Sequence, residues 1–135
     1  MNNIAPKRVI SPVSVSDTTA QVGQVIDGQG YGSVTYVIAT GSIADADATF
    51  TVLLEESDAS GSGFAAVADA DLLGTEALAA FQFDDDNECR KLGYIGSKRY
   101  TRMTITPVGN ASAAVLAAVA ILGNPDVAPT ANPPA

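Results

Sequence analysis

Two segments in the first half of the chain, residues 33–40 and 49–56, place large apolar side chains at every second position. In the first segment Val37 and Ala39 lie on the other face with Thr35, so we expect both of its faces to be at least partly covered. Both segments are rich in β-branched and aromatic residues, and turn-forming residues bound them on each side. A period of two places alternate side chains on opposite faces of an extended strand, so each segment predicts a β-strand with one apolar face. The apolar positions are Val34, Tyr36 and Ile38 in the first segment and Phe50, Val52 and Leu54 in the second.

Further strands are predicted along the chain at fairly even spacing. They cover residues 9–15, 21–26, 76–83, 89–94, 100–106 and 112–122. Pro12 favours an edge position for the first of these, because a proline cannot donate to a neighbouring strand. For residues 76–83 a helix over residues 65–80 is the alternative, which the alanine content favours. Together the segments predict an all-β fold, an antiparallel β-sandwich and specifically a jelly roll of about eight strands.

The chain has 135 residues, which is the size of one domain. Residues 1–8 are polar, contain Pro6 and predict an N-terminal arm. Residues 9–122 contain all the predicted strands and form the sandwich domain. Residues 123–135 carry four prolines and predict a C-terminal tail that is extended and mobile unless a partner holds it.

Histidine is absent and Cys89 is the only cysteine. A Ser-His-Asp or Cys-His catalytic site is therefore impossible within one chain, and so are the usual zinc sites. With many Asp and Glu residues, some carboxylate pair always looks plausible for glycosidase chemistry, but nothing in the sequence selects one. We therefore expect no enzymatic activity and no cofactor. A lone cysteine also excludes an intramolecular disulfide, which suits synthesis in a reducing cytosol.

The net charge of −8 disfavours direct binding to nucleic acid, because that affinity depends on Lys and Arg neutralising phosphates. The longest apolar run, residues 113–122, is too short to cross a bilayer as a helix. The first ten residues lack the apolar core of a signal peptide. We expect a soluble, unprocessed protein that does not bind membranes.

Two motifs resemble ligand sites, and both have a simpler interpretation. The glycines Gly28, Gly30 and Gly32 are followed by a strand rather than by the helix that a phosphate-binding loop requires, so they predict a turn. The acidic run Asp84–Glu88 offers oxygen ligands for calcium but lacks the spacing of the twelve-residue calcium loop. We interpret it as a solvated loop, with calcium binding left as the alternative.

The basic residues are concentrated in one part of the chain. Fourteen of the fifteen acidic residues lie at or before Glu88, whereas residues 90–102 hold five bases and no acid. If the strands 89–94 and 100–106 pair, these bases form one positive patch that could dock an acidic partner. The alternative is that the bases pair with carboxylates of the same chain, where exposed pairs contribute little. The predicted partner-binding residues, which include two bases of the arm, are Lys7, Arg8, Arg90, Lys91, Tyr94, Lys98, Arg99 and Arg102.

Four segments resemble a group of small proteins encoded among the head genes of tailed bacteriophages. They are residues 30–41, 71–76, 90–100 and 118–125, and the likeness covers roughly residues 25–125. Its most specific part is the stretch Arg-Lys-Leu-Gly-Tyr-Ile-Gly-Ser-Lys-Arg-Tyr at residues 90–100. Proteins of this group look like capsid cement or decoration proteins.

The resemblance implies a β-sandwich on the outer surface of the virion capsid, made in the host cytoplasm. It implies that the partner is the major capsid protein, and that the chain forms dimers or trimers which clamp neighbouring capsomers. A head-tail connector or tail component is the alternative role in the virion. A sugar- or calcium-binding β-sandwich module is a third possibility, and the absence of tryptophan weakens its sugar-binding form.

Overall fold

The computed structural model describes residues 3–133 and is an antiparallel β-sandwich, which confirms the predicted fold class. Eleven strands, one 3₁₀ turn and one short helix form the described part of the chain. The strands are β1 (Ile4–Val15), β2 (Gln21–Val22), β3 (Ile26–Asp27), β4 (Tyr31–Ile43), β5 (Thr49–Ser57), β6 (Ala65–Ala66), β7 (Leu72–Leu73), β8 (Phe81–Gln82), β9 (Cys89–Tyr94), β10 (Tyr100–Val108) and β11 (Ala114–Pro125). The 3₁₀ turn spans Asp69–Asp71 and the helix α1 spans Glu76–Ala79.

The strands form two sheets that pack face to face in a jelly-roll-like arrangement. The five-stranded sheet has the order β1-β11-β4-β9-β7, and the six-stranded sheet has the order β2-β10-β5-β6, with β3 also paired to β10 and β8 to β5. All the pairings are antiparallel. The first and last long strands, β1 and β11, lie side by side.

The core between the sheets contains the apolar positions that alternation predicts. Tyr36 and Ile38 of β4 are fully buried, and so are Leu54 of β5 and Met103 and Ile105 of β10. Phe50 and Phe81 stack with ring centroids 4.7 Å apart and an interplanar angle of 10°. A hydrogen bond crosses the core between the Tyr36 hydroxyl and Thr101 Oγ1 at 2.6 Å.

The predicted strand over residues 76–83 is wrong in its first half, and the alternative helix over 65–80 is wrong in most of its length. Thr75 begins α1 by accepting a hydrogen bond from the Leu78 amide through its side chain, at 3.0 Å. The helix ends after one turn, and the chain becomes extended again at Phe81, which pairs with β5. The predicted second strand is also divided, because Gly23 and Gln24 leave the line of β2 and β3 and hydrogen-bond to Met103 and Val9.

The predicted arm is wrong for residues 4–8, since β1 begins at Ile4 and pairs with β11 along its whole length. Ala5 is buried opposite Leu122, which gives this segment an apolar anchor. At the other end β11 continues to Pro125, past the predicted boundary at residue 122. The tail then contacts the domain, where Thr130 Oγ1 donates to the Ile4 carbonyl at 2.6 Å. Residues 1–2 of the arm and 134–135 of the tail lie outside the described residues.

Candidate docking surface

The predicted positive patch does not form, because β9 and β10 belong to different sheets. β9 pairs with β4 and β7, whereas β10 pairs with β5, β2 and β3. Tyr94 at the end of β9 and Thr101 at the start of β10 are both buried, so each strand presents an apolar face to the same core from opposite sides. The turn between them therefore crosses from one sheet to the other instead of closing a hairpin.

Four of the five bases in residues 90–102 pair with carboxylates of the same chain, which confirms the alternative interpretation for them. Exposed pairs of this kind contribute little to stability. Hydrogen bonding to the Arg99 guanidinium lowers the pKa of Asp27, and hydrogen bonding to Asp58 raises the pKa of Lys98. The pairs are Arg90 with Asp85 at 2.7 Å and with Glu88, Lys98 with Asp58 at 2.6 Å, Arg99 with Asp27 at 2.8 Å, and Arg102 with Glu55 at 2.9 Å.

Tyr94 is a core residue and not an exposed interface anchor. It is 5% exposed, its hydroxyl donates to Glu56 Oε2 at 2.6 Å, and the same hydroxyl accepts from the Lys98 amide at 3.0 Å. Burial and the hydrogen bond to Glu56 raise the pKa of its phenol. Tyr94 thus stabilises the turn between the two sheets.

The remaining predicted bases lie on the outer strands of the five-stranded sheet. Lys7 and Arg8 are neighbours in β1 and point to opposite sides, Lys7 towards the side of buried Ala120 and Arg8 towards the side of exposed Val119. Lys91 in β9 is exposed and lies on the same side as Arg8. The predicted set therefore divides, and Arg8 and Lys91 share one surface.

That surface is the outer face of the five-stranded sheet. Residues directly opposite each other in antiparallel strands share a face, and the central row of this face reads Arg8, Val119, Val37, Lys91 across four strands. We define the outer face as Leu73, Pro6, Arg8, Thr35, Val37, Ala39, Cys89, Lys91, Val115, Ala117, Val119 and Ile121. Val115 and Val119 are 40% and 39% exposed, and Leu73 is 60% exposed.

The outer face is apolar in its centre and has a cation on each side. None of its residues is acidic, although the chain has fifteen acidic residues. The spacing of strands and residues gives an apolar patch of about 400 Å², which is within the range at which exposed patches mark interaction sites. The six-stranded sheet differs, because its outward side chains include four threonines and the Arg102–Glu55 pair.

The sequence alone did not reveal the outer face. Residues 112–122 are apolar at nearly every position, so alternation cannot tell which positions face the core. The structure buries the even positions, such as Leu116, Ala118 and Leu122, and exposes Val115 and Val119. No local signal distinguishes the two sets, because both contain large apolar residues and β-branched residues are common on either face of a strand.

Of the two motifs that resembled ligand sites, the glycines form a turn and the carboxylates accept hydrogen bonds from backbone amides. Gly30 has a φ of +87° in the turn between β3 and β4, where the Tyr31 amide donates to the Gly28 carbonyl at 3.1 Å, so the predicted turn is confirmed. Within the acidic run, Asp86 accepts from the Ile43 amide at 3.0 Å and Asp85 from the Gln82 amide at 2.9 Å. Among residues 3–133, no three Cys, Asp or Glu side chains are grouped as a metal would require.

No helix within the described part of the chain has the length and apolar character needed to cross a membrane.

Comparisons with known proteins found no matching family model and no matching curated protein. Solved structures of similar shape include the CBM22-1–GH10 modules of Clostridium thermocellum xylanase 10B complexed with xylohexaose. That likeness has a TM-score of 0.47 and 11% identity, and it covers 97% of this chain but 28% of the xylanase chain.

Two further structures are similar over most of both chains. A Bacillus endospore appendage, described as a disulfide-linked pilus, has a TM-score of 0.42, 10% identity and coverage of 92% of this chain and 90% of its own. The C-terminal family 22 carbohydrate-binding module of the same xylanase has a TM-score of 0.41, 8% identity and coverage of 93% and 88%. At these values the likenesses carry no argument about function.

Proposed function

We propose that this chain is a non-enzymatic structural protein that binds another protein through the outer face, and that it acts as a cement protein on the capsid of a tailed bacteriophage. The observation that carries the docking role is the apolar, acid-free outer face on a chain of net charge −8. The capsid assignment rests on the resemblance of residues 25–125 to phage head proteins. The outer surface of the major capsid protein is then the partner.

The charges of the outer face favour a different protein over a second copy of this chain. Arg8 and Lys91 lie at opposite ends of the central row. A two-fold axis along the strands would place Arg8 against Lys91 of the other copy, and an axis across the strands would place each base against its own equivalent. Like charges face each other in both cases, which costs binding energy. An apolar surface with carboxylates at its margins is the complementary partner, and any dimer or trimer uses another surface.

A modest contact of this kind suits a repeated lattice. The patch of about 400 Å² is roughly half of what one partner contributes to a standard interface. Repetition over a shell multiplies weak contacts when each bound unit spans two capsomers. The net negative charge also keeps the chain soluble while it accumulates at high local concentration.

The test compares two glutamate substitutions at equally exposed apolar positions. Val119 lies at the centre of the outer face and Leu53 lies on the outward side of the six-stranded sheet, and each is 39% exposed. We expect Val119→Glu to weaken cosedimentation with expanded shells of the neighbouring major capsid protein at least tenfold, and Leu53→Glu to bind as the unchanged chain does. Circular dichroism spectra should be the same for both.

Equal binding by the Val119→Glu and Leu53→Glu variants would show that the outer face is not the dock. Failure of the unchanged chain to bind shells would remove the cement role. A quantified gel of purified virions separates cement from a connector, because cement scales with the number of capsomers and a connector forms one ring at a single vertex. A glycan array and a calcium titration test the sugar- and calcium-binding alternatives.

A further inference from the structure

The two edges of the five-stranded sheet differ in how far they are blocked against pairing with another strand. Exposed edges invite pairing with other strands, and proteins commonly block them with prolines, bulges or covering loops. The β1 edge has all three features: Pro6 and Pro12, register shifts on both sides of Ile10, and a hydrogen bond from the Gln24 amide to the Val9 carbonyl at 2.9 Å. This edge is closed to strand addition.

The β9 edge is covered over only half its length. The Thr40 amide donates to the Glu88 carbonyl at 2.9 Å, so the even-numbered residues of β9 direct their backbone groups towards β4 and the odd-numbered residues direct theirs outward. Gly93 meets Leu73 of β7, and the Ile95 amide donates to the Asp71 carbonyl at 2.8 Å. No strand or loop of the described chain pairs with the outward groups of Lys91 and Cys89.

The strand pairing ends before Lys91 because the chain leaves the line of β7 at Gly74, while α1 stays close to β9. The φ of Gly74 is +92°, a backbone conformation that suits glycine, and Thr75 then begins α1. A groove remains beside the open edge, lined by Leu73, Gly74, Leu78, Cys89, Arg90 and Lys91. Leu73 and Leu78 are 60% and 73% exposed, so the groove has apolar walls. Its charged lining residues are Arg90, which pairs with Asp85 and Glu88, and Lys91.

The edges of the other sheet are covered by contrast. Outside β5, the Leu54 amide donates to Glu76 Oε1 at 2.7 Å, and the Leu54 carbonyl accepts from the Val67 amide at 3.0 Å. Outside β10, the Met103 carbonyl accepts from the Gly23 amide at 2.8 Å, between β2 and β3. These contacts cover parts of both edges of the six-stranded sheet.

We propose that the β9 edge accepts an extended segment of the partner protein as an added strand. The segment would pair antiparallel to β9, in line with β7, using the outward N–H and C=O groups of Cys89 and Lys91. An apolar side chain would lie between Leu73 and Leu78, and an acidic side chain would lie beside Lys91. Strand addition obtains affinity from main-chain hydrogen bonds and specificity from such alternate side-chain contacts. The inference rests on the proposed function for the identity of the partner, but not for the existence of the edge site.

The first test uses a synthetic peptide and needs no capsid. The probe is a capped seven-residue peptide of alternating leucine and glutamate with threonine ends, added at millimolar concentration to the ¹⁵N-labelled chain. We expect hydrogen exchange of the Cys89 and Lys91 amides to slow at least tenfold, and the amides of Arg90 and Leu92 to be unchanged because they already face β4. Two matched peptides serve as controls, one with the β9-facing amides N-methylated and one with lysine in place of glutamate, and neither should slow these amides.

The absence of slowing at millimolar peptide, or slowing that the N-methylated peptide reproduces, would overturn the inference. A second test uses the pair Lys91→Pro and Lys91→Thr. Both remove the charge, but only proline also removes the outward N–H, and the inward pairing with β4 is spared in both. We expect Lys91→Pro to bind shells at least threefold more weakly than Lys91→Thr, at equal thermal stability.

The outcomes separate the two proposals. If Val119→Glu abolishes shell binding and the two Lys91 variants bind equally, docking by the outer face stands and strand addition is wrong. If the unchanged chain does not bind shells but the peptide slows the Cys89 and Lys91 amides, the edge site stands and the capsid role is wrong.

Discussion

The hydrogen bond between Tyr36 and Thr101 offers a direct measure of how the two sheets are held together. Tyr36 belongs to β4 of one sheet and Thr101 to β10 of the other, and their hydroxyl oxygens are 2.6 Å apart. The residues are 0% and 2% exposed, so water cannot replace either partner. Tyr36→Phe leaves the buried Thr101 hydroxyl without this hydrogen-bond partner, and Thr101→Val does the same to the phenol of Tyr36.

The size of the effect follows from this burial. A buried polar group left without a partner costs about 1–3 kcal/mol, whereas replacing both partners with apolar groups of similar shape is nearly neutral. We therefore expect each single variant to lose about 1–3 kcal/mol of unfolding free energy. The double variant, Tyr36→Phe with Thr101→Val, should lie within about 1 kcal/mol of the unchanged chain, well short of the sum of the two losses.

Urea unfolding followed by far-ultraviolet circular dichroism gives the four free energies of this cycle. Tyr31→Phe is the control, because Tyr31 is half-buried and outside this hydrogen bond, and a change within about 0.5 kcal/mol is expected there. An additive double variant, with no coupling between the two positions, would refute the claim that this hydrogen bond joins the sheets.

Two further predictions concern the covered edge of β5 and the titration of the buried phenols. Glu76→Ala leaves the Leu54 amide without its carboxylate acceptor and should cost about 1–3 kcal/mol in urea unfolding, while Glu76→Gln keeps an acceptor and should cost less; equal losses would contradict the bond's role. Burial raises the pKa of Tyr36 and Tyr94 above the unfolded value of about 10, so their contribution is complete below about pH 10 and is lost as the pH rises beyond it. The melting temperature should fall between about pH 10 and 12, and Tyr36→Phe should make that fall shallower; an unchanged slope would contradict the assignment to Tyr36.

The elements that the sequence predicts well are those in which one strand face is apolar and the other is polar. Residues 33–40 and 49–56 have large apolar side chains at every second position, and the structure contains both as β4 and β5 with those side chains buried. The strand over residues 112–122 was also predicted against its helix-like alanine content, because of its valine and isoleucine residues and the turn at Gly109, although β11 continues through Gly123 to Pro125. Local signals decide these cases, and local signals are what one sequence provides.

The pairing of strands could not be predicted in the same way, since it depends on contacts distant in sequence. The turn at Gly96–Lys98 has the composition of a hairpin turn, yet it connects two sheets. What fixes the crossing is the Tyr94 hydroxyl, which holds Glu56 of the facing sheet and the Lys98 amide at once. To predict that arrangement one must know that Glu56 lies opposite Tyr94 in the facing sheet, and no spacing in the sequence shows this. The predicted positive patch failed for this reason.

The positions of the carboxylates explain how a chain of net charge −8 keeps one sheet face free of acidic side chains. Asp27 and Glu55 pair with arginines on the six-stranded sheet, and Asp45 and Asp86 accept backbone amides in loops. As the proposed docking of an acidic partner requires, these roles place the carboxylates away from the outer face. Arg8 and Lys91 at its margins oppose self-stacking, and the blocked β1 edge opposes growth of the sheet on that side. An exposed apolar face with features that oppose self-association is the arrangement expected of a surface that binds a different protein.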